Sequence, residues 1–563
     1  METKISDNYL YESVLNLEKS DSDKTPFLRK NLNYVVDQQN GNGNYQSGQI
    51  IIDATSLASS ANNFNDWSNA YIVLPYNVKL TGQFDTSTVI TPASLPICNY
   101  LTSLKNNAVI DSITVEQGGK TIINQSSNLS QLINFKLHST TSQDNLNKMS
   151  SSLQYFPDSV GAYTYTSGSI GLQNISNNPN STTFTTPETY NAGALTRQQK
   201  LFPYTTTLTT QNKQINEGDA VQLAGPIVVA PAPSAISDLH FLMTIRLKDL
   251  TDYFAKHSKL TRGIGYKITV RVNQGFTTFT HIAPGKDTTP ISDLAITAQS
   301  FTGIGGSIVM PAMLHAGLAG VNTLAQGLIT TAAATQLAAS SLVLTAQVDT
   351  GAQALLNGAR LYVPSYEMNP TYQEKIMALP ILNRTFFDSY FTQIQNQAKN
   401  SYINAQIATG ISNPKAIVIV PQIAQQVNNF NSQASAFNPS PGTTDPQLSL
   451  TNTQVKVGSQ YVLPDRVNYD FVQFLENNQS LFGLNGGQTD MLSSGIIDFT
   501  KWRHNYRYYV YDLSRYPASA DNVAQMLTLE SFNNSDVAID LYVYVLYERT
   551  AEFNLVAGSL QVE

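Results

Sequence analysis

The sequence contains almost no cysteine: Cys98 is the single thiol in 563 residues. One thiol excludes an internal disulfide, and it also excludes a zinc site built from several thiolates of the same chain. The fold is therefore expected to form without covalent cross-links, which fits a reducing compartment. We interpret Cys98 as a buried structural thiol and not as a nucleophile.

Charged residues are also scarce, at 13% of the chain against roughly 25% in an average soluble domain. Asn, Gln, Ser, Thr and Tyr take their place, a composition that suits strands joined by neutral loops. It also suits surfaces that contact other proteins, because charge in the core of an interface must be desolvated. The net charge is −7 and the pI is about 5.4, and Lys and Arg form no cluster. Broad phosphate neutralisation needs such clusters, so no specific nucleic-acid reading is expected.

Long hydrophobic runs are missing as well. The longest uncharged region, residues 295–348, is interrupted by polar residues and proline, whereas a spanning helix needs about 20 mostly apolar residues. The polar, acidic start METKISDNYLYESV predicts no secretory signal. We therefore expect no transmembrane segment. The chain is nevertheless 42% hydrophobic and 10% aromatic, which supplies cores and argues against disorder.

No set of catalytic or ligand residues stands out. Asp249 and Asp252 are interpreted as helix-start or turn residues and not as an acid–base pair, and residues 303–306 lack the lysine of a phosphate-binding loop. No Gly-x-Ser-x-Gly elbow is found in a strand–helix context. The histidines form no metal-binding spacing; they are His138, His240, His257, His281, His315 and His504. Hence no catalytic, cofactor-binding or metal residue is predicted, no cofactor is expected, and the protein is not expected to be an enzyme.

A strand, a turn and a helix occur twice in the sequence. Residues 454–476 alternate as a strand, turn at Gly458-Ser459 and continue into a helix that is predicted to begin at Asp465. Residues 113–137 repeat this pattern around Gly118-Gly119, and Leu132 aligns with Val472 without a gap. Matching strands lie upstream, at residues 70–75 and 416–421. One interpretation is that any two hairpins followed by helices look alike; the other, which we favour, is that one β-rich domain is present twice.

The chain divides into three parts on this reading. Residues 1–44 are predicted to be a polar N-terminal arm. It is expected to be a frayed terminus in the isolated protein, or to form one short amphipathic helix against a neighbour in an assembly. Residues 45–372 form a first sandwich with large loop insertions over residues 139–235, and residues 373–563 form a second sandwich with shorter loops. Many short strands with turn signals and few helices indicate an all-β fold of antiparallel sandwiches.

Several pieces of the sequence resemble the double jelly-roll major capsid proteins of polinton-like viruses and virophages. The pieces, in chain order, are GQIIID at 48–53 after Asn44-Tyr45, ARLYVPSYEMNP at 359–370, NPK at 413–415 leading into 417–421, SPGTT at 440–444, NGG at 485–487 with LSSG at 492–495, YRYYVYDLSR at 506–515 and YER at 547–549. Together they span most of the chain, and only residues 139–235 are less easily matched.

The resemblance implies two tandem antiparallel jelly-roll β-sandwiches with few short helices. It also implies a homotrimer that forms a pseudo-hexagonal capsomer, tiles an icosahedral DNA-virus shell and contacts neighbouring capsomers, penton proteins and minor capsid proteins. The expected location is the virion, after assembly inside the host cell.

Two other functions remain open from the residues alone. A receptor- or glycan-binding fibre or lectin-like β-sandwich fits the tyrosine-rich strands and neutral loops. In the run at 506–511, Tyr506 and Tyr508 are expected on one side of the strand, and Tyr509 and Tyr511 on the other. We expect these rings to pack in a core and not to form a platform that binds sugar. A glycoside hydrolase would need two converging carboxylates, and the sequence identifies no such pair.

Overall fold

The structure is a computed structural model. It describes residues 26–38, 48–59, 63–84, 88–90, 103–104, 109–125, 127–146, 148, 221–222, 227–229, 234–257, 260–281, 294–302, 312–313, 339–350, 354–377, 381–424, 448–463, 468–484, 495–504, 506–514, 524–535, 537–554 and 559–562.

The first half contains seventeen described strands. They are β1 Phe27–Val36, β2 Gln49–Asp53, β3 Asn63–Asn65, β4 Tyr71–Phe84, β5 Thr88–Ile90, β6 Ser103–Leu104, β7 Ile110–Gln117, β8 Lys120–Gln125, β9 Val221–Gln222, β10 Ile227–Val229, β11 Ser234–Arg246, β12 Lys267–Val272, β13 Gln274–His281, β14 Leu294–Thr302, β15 Ala312–Met313, β16 Ala339–Val348 and β17 Arg360–Met368.

The second half contains nine described strands. They are β18 Ile381–Gln397, β19 Ser401–Ile411, β20 Pro414–Ile423, β21 Leu450–Val457, β22 Gln460–Tyr461, β23 Tyr509–Asp512, β24 Gln525–Asn533, β25 Ile539–Asn554 and β26 Ser559–Val562.

Helices are few and short in the described part of the chain. They include α1 Leu129–Thr140, α2 Leu247–Leu250, α3 Asp252–Ala255, α4 Pro370–Met377, α5 Phe471–Leu484 and α6 Phe499–His504, with a 3-10 turn at Thr55–Ser59.

The strands of the second half pair in two antiparallel four-stranded orders. One order is β18-β25-β20-β23, with β26 added on β25, and the other is β19-β24-β21-β22. Successive strands alternate between the two sheets until the hairpin of β21 and β22, which places two consecutive strands in the same sheet. Eight strands connected in this way form a jelly roll.

The first half repeats that connection strand for strand. Its orders are β1-β17-β4-β11 and β2-β12-β7-β8, and the hairpin of β7 and β8 is again followed by a helix. The additional strands β16, β13 and β14 lie between β12 and β17 in the sequence and extend the first sheet along the edge of β4. No described sheet combines strands from both halves, and α4, which contains the predicted boundary at residue 372, separates them.

The strand β1 corrects the predicted N-terminal arm. It lies inside residues 1–44, yet it pairs with β17 from Phe27 to Val36, and Phe27 and Val35 pack against the core. It is the counterpart of β18, so the first jelly roll begins at residue 27 and not at residue 45. Residues 1–25 and the predicted arm helix lie outside the described residues.

Of two further sequence predictions, one agrees with the structure and the other does not. The hairpin glycines Gly118, Gly119 and Gly458 all have positive φ, as the duplicated turn requires. In contrast, α5 begins at Phe471, after Asp470, whose side chain accepts a hydrogen bond from the backbone N–H of Gln473 at 3.0 Å. The predicted start at Asp465 is therefore wrong, because residues 468–470 are not helical.

Candidate functional site at the junction of the two jelly rolls

Helix α1 lies between the two jelly rolls. None of its twelve residues is exposed, and the buried set includes polar residues as well as the apolar ones. A helix on the surface of one sandwich would keep a polar face towards water. The burial of Gln131, Asn134 and His138 therefore marks α1 as an internal element of the whole chain.

The end of α1 contacts the tyrosine run of the second half. His138 Nδ1 lies 2.8 Å from the hydroxyl of Tyr508, and its ring lies 4.0 Å from the ring of Tyr506 between centroids. Phe135 meets Tyr508 edge-on at 5.0 Å. Burial holds the pKa of His138 well below its ordinary value, with Lys501 adding to the effect, and burial raises the pKa of Tyr508. Both side chains are therefore neutral partners in this contact at physiological pH.

The start of α1 is also fixed by the second jelly roll. Asn128 adopts a left-handed conformation with φ 63°, its N–H donates to Asp111 at 3.0 Å, and its carbonyl accepts from the Tyr544 hydroxyl at 2.7 Å. Nearby, Arg549 Nη1 donates to the Ile122 carbonyl at 2.6 Å and lies 3.3 Å from the buried carboxylate of Asp388. Groups of β25 thus complete the hydrogen bonding of backbone that belongs to the first jelly roll.

A second contact is made by α3, which follows β11. Asp252 accepts a hydrogen bond from the backbone N–H of Phe387 at 3.0 Å, and its Oδ2 lies 3.1 Å from Lys256 Nζ. Tyr253 packs edge-on against Phe386 at 5.0 Å. The two contacts lie on different elements of the first jelly roll, so they resist rotation of one jelly roll against the other.

A cavity of about 40 Å³ remains between these contacts. Its lining includes Leu132 and Ile133 of α1, Phe387 and Leu546 of the second jelly roll, and Asp252. Residues of both jelly rolls therefore line one shared space at the junction.

The two carboxylates singled out in the sequence have structural roles. Asp249 lies in α2 and pairs with Arg246 at 2.7 Å, while Asp252 is the first residue of α3 and bridges to the second jelly roll. The prediction of helix-start residues is confirmed. Cys98, His315 and residues 303–306 lie outside the described residues.

The tyrosine run is buried. Tyr506 and Tyr508 contact His138, whereas Tyr509 and Tyr511 pack against Tyr469, as the predicted partition required. Each of the four is at most 1% exposed, so this run offers no platform for a sugar. The strand itself covers only Tyr509–Asp512.

Within the described ranges, no group of three or more His, Cys, Asp or Glu side chains could hold a metal ion. Among the helices of those same ranges, none combines the length and the apolar character that crossing a bilayer requires.

Sequence reasoning did not find the junction residues. Tyr544 and Arg549 look like ordinary members of an aromatic strand, and Asn128 looks like an ordinary helix cap. The available signal was His138, a polar residue directly after the repeated stretch 113–137. The residue at the same spacing in the second half, Asn478, is also buried.

Two jelly rolls in one chain, joined at a buried junction, define a double jelly-roll protein. No protein-family model matches the chain, and no curated protein matches it. Among solved structures, a chain of the Sputnik virophage is 10% identical, with a TM-score of 0.50 over 98% of this chain and 91% of that one. The mavirus major capsid protein is 9% identical, with a TM-score of 0.46 over 97% and 92%. A chain of the PBCV-1 virus capsid is 9% identical, with a TM-score of 0.39 over 97% and 98%. The fold predicted from the resemblance to double jelly-roll major capsid proteins is confirmed.

Proposed function

We propose that this protein is a major capsid protein, a building block of a viral shell that works through protein–protein interfaces. In this proposal three copies form a pseudo-hexagonal capsomer, and capsomers tile an icosahedral DNA-virus shell in the virion. Neighbouring capsomers, penton proteins and minor capsid proteins are its partners. Residues 1–25 are the remaining N-terminal arm.

The observation that carries the proposal is the fixed arrangement of two equivalent bodies in one chain. A shell subunit must keep its shape while many contacts act on it, and the junction supplies this through α1, which is buried between the jelly rolls. The chain thereby presents two copies of one fold, side by side, to its neighbours. Three such chains around a threefold axis provide six jelly rolls, which matches hexagonal packing.

Low charge supports the same function. Shell contacts are numerous and individually small, and burying an ion in each of them would cost desolvation energy. A chain with 13% charged residues can form many such contacts with little of this cost. The alternative of a glycan-binding fibre loses its main sequence support, because the rings of Tyr506, Tyr508, Tyr509 and Tyr511 are in the interior.

Electron microscopy of the purified protein tests the proposal. We expect hexagonal outlines with threefold features, and hexagonal arrays or closed shells at high concentration. A glycan array serves as the opposing test on the same preparation. Specific glycan binding by particles without hexagonal outlines would contradict the capsid proposal and favour the fibre function.

A further inference from the structure

A lysine and an asparagine side chain meet where the pairing of β4 and β11 ends. Beyond the last pair of these strands, the backbone N–H of Leu247 donates to the Ala70 carbonyl at 3.0 Å. Ala70 and Leu247 are both buried in the core, so the two backbones are fixed against each other. The adjacent residues are Asn69 and Lys248, and Lys248 Nζ lies 3.5 Å from Asn69 Oδ1. The fold therefore holds an amine beside a carboxamide.

A buried carboxylate fixes the side chain of Asn69. Asp66 is 2% exposed, and its Oδ2 accepts a hydrogen bond from Asn69 Nδ2 at 2.7 Å. Its Oδ1 accepts from the Asn69 backbone N–H at 3.3 Å and from Ser68 Oγ at 2.8 Å. A carboxylate only accepts hydrogen bonds and an ammonium group only donates them. The carboxamide is thus held with its nitrogen on Asp66 and its oxygen towards Lys248.

The surroundings of Lys248 favour its neutral form more than water does. Burial lowers the pKa of its ammonium group, and the nearby Arg246 adds to the effect. The carboxylates of Asp249 and Asp66 act in the opposite direction, but the pKa remains below its ordinary value. This shift enlarges the fraction of Lys248 that carries a free lone pair, which is the form that attacks a carbonyl carbon.

We propose that Lys248 and Asn69 form an isopeptide bond in the folded chain, with Asp66 as the catalytic residue. The neutral Lys248 Nζ attacks Asn69 Cγ, and the bond between Cγ and Nδ2 breaks. Asp66 takes a proton from the attacking nitrogen and delivers it to Nδ2, which leaves as ammonia. Atoms and charge balance within the three side chains, and the reaction consumes no oxidant, metal or cofactor.

Proximity makes this exchange of one amide for another accessible. Two reacting groups that are held in contact gain a high effective concentration. Asn69 and Lys248 are 179 positions apart in the sequence, so only the folded chain brings them together. Asn69 lies at the surface, and the released ammonia therefore passes into solvent and is diluted away from the reverse reaction.

The bond gives a chain with a single cysteine a covalent cross-link. It joins the turn before β4 to α2, which is followed directly by α3 and its contact with the second jelly roll. A closed loop of this length restricts the unfolded chain, as a disulfide does. The bond forms within one chain, so its presence or absence does not depend on the proposed capsid function.

Mass spectrometry of the purified wild-type protein tests the proposal. The cross-linked chain should be lighter than its sequence predicts by about 17 Da, the mass of one ammonia molecule. A protease digest should contain one branched peptide that joins the segment around Asn69 to the segment around Lys248. A folded wild-type chain of full mass, with the two segments as separate peptides after digestion, overturns the proposal.

Substitutions of the three side chains give the sharper result. Lys248→Arg keeps the positive charge but removes the amine, so this variant should retain the ammonia and yield two separate peptides. Asp66→Asn keeps both reacting side chains and should slow the reaction by about a hundredfold or more, the usual contribution of a positioned acid–base group. Lys256→Arg is the matched control, because Lys256 pairs with Asp252 at 3.1 Å, and this variant should remain cross-linked.

Circular dichroism confirms that each variant folds, and Lys248→Arg alone decides the proposal if Asp66→Asn does not fold. Loss of ammonia from the Lys248→Arg variant would place the reaction elsewhere in the chain and overturn the assigned pair. A bond that forms as fast in Asp66→Asn as in the wild type would overturn the catalytic role of Asp66. Either result leaves the capsid function standing, because that function is tested by the particles the protein forms.

Discussion

His138 makes the stability of the junction depend on pH. Its ring lies against Tyr506 and Tyr508, and Lys501 is the cation that acts on it. Its folded-state pKa lies below the unfolded value of about 6.5, so the folded protein binds fewer protons than the unfolded chain as the pH drops. The contribution of His138 to the free energy of unfolding is therefore fully present above about pH 6.5, and it is lost as the pH falls towards the folded-state pKa.

We expect the free energy of unfolding to fall more steeply between pH 6.5 and pH 5 in the wild type than in a His138→Gln variant. The difference in slope should approach about 1.4 kcal/mol per pH unit, the linkage of one proton. Urea titrations at several pH values measure it. Equal slopes in the two proteins would show that His138 is protonated as easily in the folded state as in the unfolded chain.

The close approach of Gly495 to the end of α1, at His138 and Ser139, requires a glycine at this position. Its φ is +66°, and a Cβ atom there would overlap the His138 carbonyl and lie 2.6 Å from the carbonyl carbon of Ser139. The positive φ disfavours any residue other than glycine, and the space beside Gly495 is too small for a Cβ atom.

Gly495→Ala should therefore lower the free energy of unfolding by roughly 1–3 kcal/mol. Gly410→Ala is the control, because nothing lies within 4 Å of a Cβ built there, and it should change stability by no more than about 0.5 kcal/mol. Thermal denaturation of both variants compares them. Similar effects at the two positions would contradict the close approach at the junction.

Among the secondary-structure elements, the duplicated hairpin and helix could be predicted because the same residue pattern occurs twice in the sequence. Glycines with positive φ fix each turn, and the ungapped match of Leu132 to Val472 finds the equivalent face of two helices. The start of α5 could not be predicted from Asp465, because Asp470 also fits a helix cap and the structure uses it.

Strand ends were harder to predict where proline occurs. The pattern favours a strand that ends at Pro75, yet β4 continues to Phe84. On one edge of β4 the partner changes at this point, from β17 opposite residues 71–73 to β16 opposite residues 76–84. The strand therefore needs no backbone N–H at Pro75 to pair with its neighbours. The Pro75 carbonyl accepts a hydrogen bond from the backbone N–H of Asp349 at 3.0 Å. Such a change of partner is a property of the whole sheet and is not visible in the local sequence.

The first strand was missed for a related reason. Residues 27–36 read FLRKNLNYVV, and the charges in this run resemble a solvated arm. The run is an edge strand with one exposed face, so polar residues are tolerated there. Its partner β17 lies more than 300 residues later, beyond the reach of local pattern reasoning.

Truncation distinguishes an arm from a strand. Removing residues 1–25 should leave the melting temperature of the folded chain nearly unchanged, since the eight strands that define the first jelly roll all lie after residue 25. Removing residues 1–36 deletes β1 together with the core contacts of Phe27 and Val35, and it should yield unfolded or aggregated protein. A stable, cooperatively melting chain without residues 1–36 would contradict the role of β1.

For the whole molecule, one chain repeats one fold and holds the two copies rigidly side by side. Within the chain, α1 of the first jelly roll is buried against residues of the second, and Asp252 and Tyr253 of α3 add a second contact. These contacts fix one jelly roll against the other.

The most direct measurement is the native mass of the purified wild-type protein, by light scattering or mass spectrometry across a range of concentrations. The account predicts a stable ring of three chains, about 185 kDa from three chains of 61.6 kDa. A folded chain that remains at 61.6 kDa even at high concentration would contradict it.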